Sequence, residues 1–505
     1  MTQTAKERYE QLRSKRDQFV RRGRLFAEIT IPSLFPPEGH SEAQYLPQNY
    51  QGLGSRAVIH LSARLMTALL PPGQTFFRFT VPPEVLLKSD TVDVPPEVST
   101  GLVKAELLAT NEIERRSWRA PTNLALQLLI VTGNALEQVL EDNTIRIFRL
   151  DQYVIAREPN GGLQELLIEE KINTVALSDK LAKLLPPNTK RDDPTAKVCL
   201  YTWAKKKEDG KWDVAQYLED EKVPDAYGSY DVLPFNALRW SIVPGEDYGR
   251  GKVEEHYADF MALEGYEKAM LEGAAMAARN IIMVRPNATG GNLRQRIAKA
   301  RNGDVIVGNP EDLSMFQFQN VTGLQLTRDQ SAMIRQELSA AFLLNTGMRR
   351  DAERVTAYEL RQNAEELDGV LGGVYSMLSA DMQRNRITRL IYQMQKKRQL
   401  PDWPTGSVEP IITTGLEALG RERDLSRIQT AGAFIQQMGP EAQQYVKTPV
   451  LLSKVFNALQ LPDAVRSEEE VAKMKQEMMA AQAAANTAET VGSAAGVQAV
   501  TPPQQ

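Results

Sequence analysis

Residues 353–398 read ERVTAYELRQNAEELDGVLGGVYSMLSADMQRNRITRLIYQMQKKR, and residues 408–424 read VEPIITTGLEALGRERD. Thr356 and Glu359 form a Thr-x-x-Glu capping box, which satisfies the free N–H groups at a helix start. Leu360, Leu367, Val370, Leu371, Val374, Leu378 and Met382 then recur at three- and four-residue spacing, so the predicted helix has one apolar face. Running to Arg398, it would be on the order of 65 Å long at 1.5 Å per residue. That length exceeds one compact domain and suits an element that spans layers of an assembly. Gly369, Gly372 and Gly373 fall inside it, where each weakens a helix by roughly 1 kcal/mol relative to Ala. They predict a kink or a close approach by a neighbour. The spacing alone also fits a long amphipathic helix in any large α protein.

The chain has 505 residues, enough for several substructures with cores of their own. Hydrophobic residues make up 42% and charged residues 25%, which places it among ordinary soluble globular chains. A net charge of −4 excludes a molecule that binds nucleic acid over its whole surface; any such contact needs a local patch. Cys199 is the only cysteine, so no disulfide forms within the chain and a reducing compartment fits. Charges begin at Lys6, Glu7 and Arg8, unlike a signal peptide. No transmembrane helix is expected: the longest apolar candidate, Leu124 to Leu136, is short and carries Gln127, Thr132, Gly133 and Asn134.

Residues 4–28 read as a helix opened by a Thr4/Glu7 capping box. Its polar face is basic, with Lys6, Arg8, Arg13, Lys15, Arg16, Arg21, Arg22 and Arg24, and reads as a solvated face before an anion-binding one. A Pro-rich loop (Pro32, Pro36, Pro37) leads to a helix over 52–70, and further helices are predicted near 97–116 and 122–139. The period then changes. TIRIFRL and DQYVIARE are strand-like, and Asn160-Gly161 and Asp209-Gly210 mark two hairpins. FNALRWSIV is another strand. The fold class is therefore α+β, mainly helical, with a β insert at 143–243.

A helix follows from Lys252 to about Ala278, with Val253, Tyr257, Phe260, Leu263, Met270 and Ala274 as its apolar stripe. Its other face is mostly acidic: Glu254, Glu255, Asp259, Glu264, Glu267 and Glu272 against Lys252 and Lys268. IIMVRP, the basic segment LRQRIAKAR and DVIVGNPEDLSMFQFQ read as a small α/β module. Another helix is predicted over 327–344, broken by NTGMRRDAE. Residues 421–480 read as helical, with a Ser467/Glu470 capping box, and 481–505 as a low-complexity tail expected to be disordered.

Chemistry is sparse. His40, His60 and His256 have no metal-ligand spacing, and no Gly-x-Ser-x-Gly elbow is present. The best enzymatic candidate is PGEDYGRGKV, a strand–turn–helix with the layout of a phosphate loop. Its spacing fails, because Gly245 lies six residues before Gly251 and Val253 stands where a magnesium-holding Ser or Thr belongs. The glycines there predict a sharp turn instead.

ITIPSLFP, SRAVIHLSARLMTALLPP, VTGNAL, PGEDYGRGKVEEHYADF, ERVTAYEL, LGGVYS and EPIITTGLEALGRERDL occur in this order across residues 29–425. Together they resemble the portal, or head-to-tail connector, family of short-tailed (podovirus-type) double-stranded DNA phages. The resemblance implies a homo-oligomeric ring of about twelve copies at one capsid vertex, with a channel for DNA. It implies 1–250 as wing, 251–280 as first stem helix, 281–322 as clip and 323–344 as second stem helix. Residues 345–354 would be a tunnel loop carrying Met348, Arg349, Arg350, Asp351 and Arg354. Residues 355–420 would be a kinked wing helix and strand, and 421–480 a crown. Glu254, Glu255, Asp259, Glu264 and Glu267 would form an acidic stem face; Arg294, Arg296, Lys299 and Arg301 would serve clip docking. The implied partners are terminase, a tail adaptor, major capsid and scaffolding proteins and internal core proteins. No cofactor, metal or membrane is implied, and the expected place is the virion, with assembly in the host cytoplasm. An internal core or scaffolding protein, or a packaging enzyme, is the competing reading.

Overall fold

The computed structural model describes residues 4–72 except 42, 75–85 except 83, 96–187, 191, 193, 195–278, 281–284, 293–301, 304–305, 311, 313–316, 321–344, 369, 373–401, 403, 407–412 and scattered positions from 430 to 479. Among the described residues, the helices of seven residues or more are α1 (Ala5–Ile29), α2 (Leu53–Leu69), α3 (Pro96–Arg115), α4 (Arg119–Thr132), α5 (Tyr257–Ala277), α6 (Leu293–Lys299), α7 (Val321–Ala341) and α8 (Asn385–Lys396). The strands are β1 (Phe77–Thr80), β2 (Asn134–Val139), β3 (Ile145–Phe148), β4 (Tyr153–Arg157), β5 (Leu163–Asn173), β6 (Lys197–Lys206), β7 (Trp212–Leu218), β8 (Glu221–Tyr230), β9 (Phe235–Arg239), β10 (Ile281–Val284), β11 (Leu313–Phe316) and β12 (Glu409–Ile412). The Thr356/Glu359 box, the segment 345–354 and the tail 481–505 lie outside the described residues, as does most of 421–480.

The chain divides into two compact units. One comprises residues 1–72 and 116–393, the other 73–115 and 394–505. In the first, both halves of the Thr4/Glu7 capping box form at the start of α1. α4 packs against α1 and α2. Leu61, Leu65, Leu126 and Leu129 are fully buried there. The helix predicted over 122–139 ends at Thr132, because Gly133 adopts φ +76° and turns the chain into strand β2. β2 pairs with β3 and β9 in a three-stranded sheet, while β4 to β8 form a five-stranded antiparallel meander. Adjacent β5 residues point to opposite faces. Leu166 and Ile168 enter the main core, and Leu167 meets Tyr9 and Leu12 of α1.

Strand β8, absent from the sequence reading, explains why it was missed. Pro224 sits in it, which an edge strand tolerates. Pairing with β7 jumps from Tyr217↔Lys222 to Ala215↔Tyr227, and Asp225 takes φ +61° in the bulge. The sheet thus ends on a broken, poorly templating edge.

In the second unit β1 pairs antiparallel with β12, Phe77 opposite Ile412. A Glu106 carboxylate oxygen on α3 accepts the Phe79 backbone N–H at 2.8 Å. Phe79 also packs edge-on against Trp403, ring centroids 5.6 Å apart.

Of the predicted long helix the structure describes Gly369, which is helical, and 373–398. Helix runs over 374–396, and Gly373 before it takes a non-helical φ of +84°. Residues 379–384 then form a π-helical turn before α8.

Candidate functional site

Three glycines build the turn that launches α5. A Cβ on Gly133 would lie 2.4 Å from the Arg250 carbonyl carbon. One on Gly251 would meet the Ile130 and Val131 carbonyl oxygens at 2.8 Å, and one on Gly249 the Gly133 oxygen at 2.8 Å. Backbone lies directly on backbone, which only glycine permits. Asn134 clasps the crossing: its Nδ2 donates to the Gly249 carbonyl at 2.8 Å and its Oδ1 accepts the Gly249 N–H at 2.7 Å. The phosphate-loop lookalike is thus occupied by the chain's own VTGN segment.

Beyond this junction, Lys252–Glu255 forms one helical turn, His256 breaks it, and α5 and α7 run antiparallel. Phe260 packs on Phe342 with ring centroids 5.5 Å apart. Further along, Glu267 accepts from Ser331 at 2.6 Å and Arg335 at 2.5 Å. A Cβ on Gly273 would touch Leu324 Cδ2 at 2.6 Å, so Leu324 packs directly on the α5 backbone there. The same pairing continues outward into the β10–β11 ladder, Ile281 opposite Phe316. α6 lies between β10 and β11 in sequence.

The five acidic residues singled out in sequence do not share one open face. Glu254 takes Arg22 at 2.9 Å and Arg250 at 2.8 Å. Glu264 accepts the Tyr50 and Gln51 backbone N–H groups at 2.9 and 3.1 Å. Glu267 is held by α7. Glu255 pairs with Lys252 at 2.7 Å and Asp259 with His256 at 3.4 Å, and these two carboxylates remain 53% and 47% exposed. Burial raises the Glu267 pKa, but the Ser331 hydroxyl and Arg335 outweigh it and hold it below its usual range. This carboxylate therefore stabilises the hairpin above about pH 4.3, the unfolded value, and the contribution disappears as pH falls through the depressed folded value. Glu267→Gln should cost about 1–3 kcal/mol at pH 7, read as a lower melting temperature. A gap from wild type that fails to narrow between pH 7 and 3 would refute this.

Part of the basic face of α1 is paired, while Arg13, Lys15 and Arg21 stay exposed as a solvated face would. Arg16 is 4% exposed and donates to Tyr9 Oη at 2.8 Å and to the Asp151 carbonyl at 3.0 Å. Arg8 reaches Glu165 at 2.6 Å, Lys6 reaches Glu219 at 3.3 Å, and Arg24 reaches Glu38 at 2.8 Å. The inward pairs form because α1 lies across a sheet that brings Glu165 and Glu219 opposite it. Arg294, Arg296 and Lys299 lie on α6; Arg296, Lys299 and Arg301 are exposed. Met348, Arg349, Arg350, Asp351 and Arg354 lie outside the described residues.

Sequence reasoning overlooked the contacts that fix α8. Arg386, Arg389 and Gln393 recur at helical spacing and are 2, 5 and 4% exposed. Arg386 Nε donates to both Glu137 oxygens at 3.0 Å, and its Nη1 donates to Thr122 at 2.7 Å. Gln393 donates to the Leu140 carbonyl at 2.9 Å. A polar stripe of this spacing reads as a solvated face, and nothing in it announces the buried Glu137 opposite.

The Cys199 thiol is pushed up to about 11 by burial and by Glu169 and Glu219, which makes it a poor nucleophile. Among the described residues no group of three or more His, Cys, Asp or Glu could hold a metal ion. Among the same residues no helix is long and apolar enough to cross a membrane.

The profile of bacteriophage head to tail connecting proteins matches residues 2–466, and the chain belongs to that family. It is 31% identical over 490 residues to the portal protein of Escherichia phage T7, covering 94% of this chain and 90% of that one. The portal protein of Enterobacteria phage T3 is 31% identical over 502 residues, covering 97% of this chain and 93% of its own. Among solved structures, a neck of an empty gene transfer agent (GTA) particle is 11% identical with a TM-score of 0.39, covering 76% of this chain and 87% of that one.

Proposed function

We propose that this chain is the subunit of a ring-shaped portal at one capsid vertex, a structural conduit for double-stranded DNA during packaging and ejection. The observation that carries this is the likeness to the T7 and T3 portal proteins over at least nine-tenths of each chain. A relation of that extent concerns the architecture and not a single module. In this reading the wing is 1–250, the stem helices are 251–280 and 323–344, and the clip is 281–322. The tunnel loop is 345–354, the kinked wing helix and strand 355–420, and the crown 421–480. Terminase and a tail adaptor dock on the clip, where Arg294, Arg296, Lys299 and Arg301 are the candidate contacts. Capsid, scaffolding and internal core proteins surround the wing and crown. ATP hydrolysis belongs to the terminase, and this chain makes and breaks no bond.

Cations that neutralise phosphates release counterions and grip DNA regardless of its sequence. A conduit is better lined with carboxylates, for which Glu255 and Asp259 are available. The tunnel-loop arginines would supply transient contacts, each repeated once per subunit around the ring.

The test is the native mass of the purified full-length chain, with electron microscopy of the same fraction. The expected result is a particle of about 0.7 MDa, about twelve times the 56.4 kDa chain, with an open centre. A monomer or dimer that persists across salt and protein concentration would overturn the portal reading.

A further inference from the structure

Two arginines meet at the Asn160-Gly161 hairpin. Arg157 ends β4 of the five-stranded sheet and Arg239 ends β9 of the three-stranded one. Both guanidiniums donate to the Gly161 carbonyl, Arg157 Nη1 at 3.1 Å and Arg239 Nη2 at 3.5 Å. Two like charges thus share one neutral acceptor. Among the described residues neither guanidinium forms an ion pair, and their acceptors are backbone carbonyls. Burial, with Arg239 close by, pushes the Arg157 pKa down to about 10. Burial lowers that of Arg239 too, against the pull of Asp381 and Asp247. Guanidiniums taken partly out of water in this way are ordinarily matched by an anion.

Their donors are not used up. A guanidinium has five N–H groups. Arg157 gives three, to the Asp247, Gly161 and Ala237 carbonyls at 2.9, 3.1 and 2.8 Å, which fixes its plane. Among the described residues Arg239 gives only the long bond to Gly161, so most of its fork is free.

The surrounding charges define the missing ligand. Lys15 lies 3.9 Å from Asp247, whose Oδ1 accepts the Arg157 backbone N–H at 2.9 Å. Asp381, on the π-helical turn, acts on both arginines at longer range. Lys15, Arg157 and Arg239 against Asp247 and Asp381 leave one positive charge in excess. A monoanion completes that balance, and a planar carboxylate matches the guanidinium fork. Glu158 follows Arg157 and Glu246 precedes Asp247, and both are already paired, with Lys206 and Arg250. Further negative charge there opposes a polyanion such as DNA.

We propose that Arg157 and Arg239 form a binding site for one carboxylate, supplied by a small organic acid or by an acidic side chain of another protein. The bound group bridges the two forks. Asp381, exposed at the edge of the site, is its competitor within the chain. The site lies inside one protomer and does not depend on the portal reading.

The test is thermal unfolding of the full-length chain at neutral pH and constant ionic strength, with chloride replaced stepwise by acetate. The melting temperature of the parent should rise by about 1–3 °C more than that of Arg239→Gln. Asp381→Asn removes the competitor and should rise further than the parent. That second variant keeps the test decisive if Arg239→Gln fails to fold. Arg157 is left intact, because its carbonyl contacts also hold the hairpin. The peptide acetyl-Gly-Glu-Gly-amide, against the same peptide with Gln, separates the two sources. A rise above that of acetate assigns the site to a protein side chain, and a smaller one to a free acid. No rise in the parent, or equal rises in the parent and both variants, would overturn the site. Inorganic phosphate or a short DNA duplex stabilising the parent more than acetate does would overturn the carboxylate assignment.

Discussion

Arg386→Ala is expected to destabilise the first unit by about 3–5 kcal/mol. The change leaves the Glu137 carboxylate, 0% exposed, without its bidentate partner. A buried charge stripped of its partner costs far more than the pair itself contributes. Asn236 still donates to Glu137 but supplies no charge. Replacing both members, Arg386→Met with Glu137→Leu, should recover much of the loss, because a buried pair exchanged for apolar groups is often close to neutral. Urea unfolding followed by tryptophan fluorescence reads both variants, since Trp118 and Trp240 are buried in this unit. A midpoint for Arg386→Ala within error of wild type would show that α8 is held by its apolar contacts alone. The helix could then move against β2 at little cost.

Gly133→Ala should be at least as damaging, with a loss above about 4 kcal/mol or no soluble protein. Two costs coincide there: φ is +76°, and the new Cβ would fall 2.5 Å from the Gly251 nitrogen as well as against Arg250. Neither neighbour is a side chain that can swing aside. Gly210→Ala separates the two costs. Gly210 has φ +82° with nothing within 4 Å of the added atom, so its alanine pays conformational strain alone, about 1 kcal/mol. Equal effects at the two positions would mean that the crossing of 249–251 over 131–134 relaxes easily, and the junction would lose its claim to aim α5.

Much of this architecture can be read from residues. The Thr4/Glu7 box, the Asn160-Gly161 and Asp209-Gly210 hairpins and the apolar stripe of α5 are local signals, and each element forms where its signal lies. What stayed hidden is long-range. Arg16, Arg386 and Gln393 look like surface residues until Asp151, Glu137 and Leu140, more than a hundred residues distant, arrive opposite them. The acidic run on α5 has the opposite fault. Periodicity groups Glu254, Glu264 and Glu267, yet the fold sends them to three different partners. Gly133 offered the clearest missed clue, since a glycine inside an apparent helix often marks its end.

The β1–β12 ladder bears on the order in which the chain can fold as it is made. Phe77 pairs with Ile412, so β1 leaves the ribosome more than 300 residues before its partner exists. At about 5–20 residues per second that interval is on the order of 20–60 s. During it Phe76, Phe77 and Phe79, all buried in the finished unit, wait without the strand that completes their sheet. The first unit meanwhile has its helices and both larger sheets in hand before residue 393. The second unit is therefore the late and aggregation-exposed one, and the supply of completed subunits is paced by the closing of a four-residue strand.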